Sequence, residues 1–72
     1  MKILVMYADH KDFHKLLPLV STLSENNDVQ VISMYESILG RTYDLAFVSV
    51  SMPSDAIDIV VRVRSNLTYV VS

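Results

Sequence analysis

The chain has 72 residues, no cysteine, 51% apolar residues and a formal net charge of −2. This length holds a single domain, residues 1–72, with a marginal core that calls for idealised packing or a partner, and missing thiols exclude disulfides and thiolate metal sites. The apolar content argues against disorder. The charge offers no basic stripe for nucleic acid, and no apolar run nears the ~20 residues of a membrane helix. With no recognisable targeting segment at its start, the expectation is a cytoplasmic protein.

The first element is the apolar run Ile3-Leu4-Val5-Met6-Tyr7 after Lys2. A continuous run bounded by polar residues suits a strand buried on both faces. Phe13, Leu16, Leu17, Val20 and Leu23 then recur at helical spacing and define one face. Asp9 or Asp12 can cap the start of this helix by accepting bonds from free amides, and Asn26-Asn27-Asp28 ends it. Pro18 interrupts the pattern, since an interior proline removes one hydrogen bond and crowds the preceding turn. A kinked or late-starting helix is expected.

Val29–Ser33 reads as the second strand. The stretch Tyr35–Leu39 allows one or two helical turns, closed by Gly40 in a left-handed conformation. Leu45–Val50 is a third, strongly apolar strand. Pro53 stops it and Ser54 is placed to cap a helix from Asp55 to about Ser65, with Ile57, Val60, Val61 and Arg64 on one face. Asn66 ends that helix and Leu67–Val71 is the last strand. Met6, Met34 and Met52 read as core filler, and Tyr35 and Tyr43 as half-buried residues beside the short second helix.

The resulting order, β-α-β-α-β-α-β, implies an α/β fold with parallel strands, right-handed crossovers and helices on both faces. Strand order 2-1-3-4, the open parallel sheet of flavodoxin-like folds, is expected.

Residues 44–64, DLAFVSVSMPSDAIDIVVRVR, resemble the middle of a response-regulator receiver domain, with the Met52-Pro53 turn and the basic end at Arg62 and Arg64. The opening KILVMYADHKDFHKLL, with Asp12-Phe13 before two leucines, resembles the receiver start, and Tyr69-Val70-Val71-Ser72 resembles its fourth strand, which ends at a switch residue. The resemblance spans nearly the whole chain and implies a receiver-like fold.

It also implies lost chemistry. Ser49 stands at the phospho-acceptor position, and Tyr7 and Ala8 stand at the positions of the acidic pair that holds a metal ion. The fifth strand, with its lysine, has no counterpart. Phosphoryl transfer to a carboxylate needs a nucleophilic oxygen, a carboxylate-held Mg²⁺ and a cation for the developing charge. No cofactor is therefore expected, and Ser72, at the switch position, has no phosphate to sense.

Other constellations carry weaker chemistry. His10 and His14 are four residues apart beside Asp9, a spacing that can bind a metal on a helix, but no Cys or further His completes the shell. The loop Ala8-Asp9-His10-Lys11 lies where open α/β sheets bind ligands, yet it has no glycine cradle for phosphate. Ser49 and Ser51 with His10 form a nucleophile and base on paper, with Asp9 or Asp55 as orienting acid, but no spacing selects an oxyanion hole.

The expected function is thus protein association without catalysis. Leu67, Tyr69 and Val71 belong to a strand with no Pro and no charge, expected at a sheet edge that a full receiver covers. Such an edge pairs with a second copy or augments another protein's sheet. The expectation is a receiver mimic that binds and inhibits or retargets a protein partner, suited to a small phage or mobile-element regulator. The alternatives are a degenerate signalling or dimerisation domain, and a small metal-binding protein or enzyme using His10, His14 and Asp9.

Overall fold

A computed structural model describes residues 1–34, 38 and 40–71. The expected short helix over Tyr35–Leu39 and the position of Ser72 lie outside the described residues, apart from Ile38, which is buried.

Four strands form one parallel sheet in the order β2-β1-β3-β4. They are β1 (Lys2–Tyr7), β2 (Asp28–Ser33), β3 (Tyr43–Ser49) and β4 (Ser65–Val71). The expected architecture and strand order therefore hold. Ile3, Leu4, Val5 and Met6 are all buried, as an uninterrupted apolar run flanked on both sides requires.

Helix α1 (His10–Ser24) packs over β1 and β2. Leu16, with Leu19, Val20 and Leu23, meets Ile3, Val5, Val29 and Val31 on one face of the sheet. Leu4, Met6, Ile32, Ala46 and Val48 build the opposite core with Met52, Ile57 and Val61, so helical segments cover both faces. Among the described residues, no helix is long and apolar enough to cross a membrane.

Local chemistry explains where the elements depart from the sequence pattern. Asp9, in extended conformation, caps α1: its Oδ1 accepts the Asp12 amide at 3.0 Å. The helix therefore starts at His10 and runs through Pro18, and the late start is corrected. His14 and Pro18 are both exposed, so water can take the carbonyl bond that Pro18 cannot make. Leu17 is 40% exposed and Leu19 takes its expected place on the core face. Asn27 Nδ2 closes the other end by donating to the Leu23 carbonyl at 3.0 Å.

The third crossover departs further. Helix α2 spans only Ser54–Ala56 and widens directly into a π-helical segment, Ile57–Val61. The Arg62 amide reaches back five residues to the Ile57 carbonyl at 3.0 Å, the bond that defines the wider turn. Ser54 lies inside the helix and makes no capping bond; Pro53 holds the cap position. The helix ends early, so Ser65 and Asn66 belong to β4. Ile57 and Val61 still point to the core and Val60 packs beside them, as their spacing predicts. Tyr43 is buried, not half-buried, because its hydroxyl can donate to Gln30 Oε1 at 2.7 Å. Val50 falls beyond β3 and is exposed.

Candidate functional site

Two features gather at the β3–β4 side of the sheet. The first is an acid–hydroxyl clasp at the carboxyl end of β3. Ser49, the last residue of β3, is buried, and its Oγ accepts the Ser51 amide at 3.1 Å. Ser51 Oγ in turn donates to Asp12 Oδ1 at 3.3 Å, which ties the turn after β3 to the first turn of α1. Asp12 is 6% exposed, and its Oδ2 has no hydrogen-bond partner. The nearby Ser49 hydroxyl, with support from Ser51 and backbone amides, holds the Asp12 carboxyl below its ordinary value against the opposing effect of burial. Asp12, Lys15, Leu16, Ser49, Val50 and Val71 line a crevice of about 20 Å³, room for one water molecule.

This clasp was not legible as a unit. Asp12 is recognisable in the sequence as a helix-start residue, but its meeting with Ser51 depends on the pairing of β3 beside β1. A carboxylate held ionised in this way is a poor proton acceptor at neutral pH. Its bonds fasten α1 to β3.

The other named residues fall elsewhere. Tyr7, at the end of β1, packs its ring against Phe13 at a centroid distance of 5.1 Å, and Ala8 packs against the core under α2. Neither position supplies an acid, and Asp12 is the carboxylate beside Ser49. The Ser51 hydroxyl bonds to Asp12 and its amide to Ser49, with His10 exposed at the start of α1. His14 is exposed and sets its ring edge-on to Phe13 at 5.9 Å, while Asp9 serves as the cap. Among the described residues, no three His, Cys, Asp or Glu side chains group closely enough to hold a metal ion.

The second feature is the open half of the α1 face. Because α1 lies over β1 and β2, β3 and the edge strand β4 are left with little cover from it. Phe47 and Tyr69 are register partners and stack at 5.6 Å with planes 23° apart. Leu67 shares this face with Tyr69, and the two are 58% and 52% exposed. Val71 differs from the other two: it is half-buried against the Ile3 cluster, lines the crevice, and its carbonyl accepts the Val50 amide at 2.9 Å. On the opposite face Val70 is 49% exposed. β4 is an edge strand with neither charge nor proline to discourage pairing.

Comparison with known protein families, with curated proteins and with solved structures finds no match.

Proposed function

We propose that this chain acts by association and not by catalysis: a receiver-like shell that regulates a protein partner by pairing β4 with a strand of that partner. The observation that carries the reading is the state of β4. It is an uncharged edge strand that presents Leu67 and Tyr69, both more than half exposed, on the side that α1 leaves open. Unpaired backbone groups along such an edge template a further strand, and adjoining apolar side chains add burial. The clasp supports the same reading. Where a receiver holds reactive carboxylates, this chain has Ser49 and Ser51 bonded into a structural contact with Asp12.

The test is affinity capture from cells that express the chain, with wild type and three variants whose folding is checked by circular dichroism. Leu67→Lys and Tyr69→Asp are expected to lose whatever the wild type retains, including its own copies. Ile59→Lys, at an exposed site on the π-helical segment, is expected to keep it. Capture unchanged by both β4 variants, or abolished by Ile59→Lys, overturns the proposal.

A further inference from the structure

We infer that the strand paired with β4 is β4 of a second copy, antiparallel across a two-fold axis at Thr68. The inference rests on the association reading and names its partner. The Val50 amide donates to the Val71 carbonyl at 2.9 Å, which fixes the phase of the ladder between β3 and β4 along Leu67–Val71. In an extended strand the N–H and C=O of one residue point to the same side, and successive residues alternate. Leu67, Tyr69 and Val71 therefore direct their backbone groups at β3, while Thr68 and Val70 direct theirs at the open edge.

Antiparallel overlap of Ser65–Val71 with itself along its whole length places Thr68 opposite Thr68 of the second copy. Leu67 then stands opposite Tyr69, and Tyr69 opposite Leu67. Thr68 carries the free outward groups, so the central pair exchanges two hydrogen bonds, and the flanking Leu67–Tyr69 pairs are the closer, non-hydrogen-bonded kind in which side chains approach most nearly. The two residues also share a face, so the second copy's leucine extends the stacked row of Phe47 and Tyr69. A two-fold axis sets the residue on it against its own copy and brings its neighbours close to theirs, so a charge there repels itself. Ser65–Val71 has none. The product is a continuous eight-stranded sheet in which neither β4 is an edge.

The chain lacks cysteine, so a single introduced thiol reports the register. Thr68 pairs with itself at a hydrogen-bonded position, where Cα atoms lie about 5.5 Å apart, inside the disulfide range of about 4.4–6.8 Å. Asn66 faces Val70 of the other copy, so two Asn66 residues are offset by four positions, about 13 Å. Thr68→Cys is expected to oxidise rapidly to a covalent dimer, and Asn66→Cys at least tenfold more slowly. Wild type is expected to sediment as a dimer that dissociates on dilution, and Leu67→Lys as a monomer. Equal cross-linking of the two thiols overturns the register. A wild type that stays monomeric up to millimolar concentration overturns the second copy. If such a monomer still captures a different protein through β4, the association reading stands alone; if it captures nothing through β4, both fall.

Discussion

Asp12 and Ser51, thirty-nine residues apart, are joined by a hydrogen bond of 3.3 Å that fastens the start of α1 to the end of β3. The bond crosses from the first helix to the turn that follows the third strand, so it holds the carboxyl end of the sheet together without covalent help.

That contact makes stability depend on pH in a defined sense. The Asp12 carboxyl is held below its ordinary value of 3.8, first by the Ser49 hydroxyl. A group with a depressed folded value contributes stability that is fully present above its unfolded value and lost as pH falls through the folded one. Thermal melts of wild type are expected to drop more steeply below about pH 4 than those of Asp12→Asn, which has no carboxyl to titrate at this site. Parallel pH profiles for the two proteins would show that Asp12 is not coupled to folding.

Pro18 interrupts the bonding of α1 from the exposed side. Replacing it with alanine restores an amide for the His14 carbonyl and relieves crowding in the preceding turn. Proline in a helix interior costs about 3 kcal/mol relative to alanine, offset by up to about 1 kcal/mol from the stiffer unfolded chain. Pro18→Ala is expected to gain about 2 kcal/mol in urea titration. A loss of stability would contradict this account of the cost of Pro18.

Gly40 has φ of +79°, and no atom outside it and its two chain neighbours lies within 4 Å of where a Cβ would stand. A substitution there meets a backbone penalty with no steric one. Gly40→Ala is expected to cost about 1–2 kcal/mol, and Gly40→Asn less, because asparagine tolerates the left-handed region better. Equal midpoints for the two variants in denaturant titration would contradict this origin of the cost.

Leu4 and Ile59 are both large aliphatic residues, but Leu4 is fully buried in the central strand and Ile59 is 70% exposed. Leu4→Ala is expected to cost about 2–5 kcal/mol through lost burial and the cavity it leaves, which for a chain of this size approaches complete unfolding. Ile59→Ala is expected to stay within about 0.5 kcal/mol of wild type. Thermal melts of the two variants distinguish the positions.

The sheet was legible because its signal is local and redundant. Runs such as Ile3–Met6 and Leu45–Val48 are too apolar for anything but a buried strand, and the helical stretches between them force parallel crossovers. Boundaries were less legible where one residue type serves two roles. Ser65 and Asn66 look like a helix end by composition, yet they open β4, because the helical segment has already stopped at Val61 and the Ser65 hydroxyl donates back to the Val61 carbonyl. Pro18 reads as a helix breaker, but its exposure removes the need to break. Of the residues proposed for the interface, the exposure of Leu67 and Tyr69 could be read from an uncharged strand expected at the sheet edge. The partial burial of Val71 could not, since it depends on the turn bond from Val50 and on the crevice beside Asp12.

The middle position of β1 has a kinetic consequence. This strand is synthesised before either neighbour, yet it pairs with β2 on one side and β3 on the other. Its four buried residues, Ile3–Met6, stay wet until more than forty further residues have been translated and two loops have closed around them. Folding is thereby governed by non-local encounters, which slows it relative to a helical protein of equal length, and the nascent strand is the segment most open to a chaperone or to aggregation during that wait.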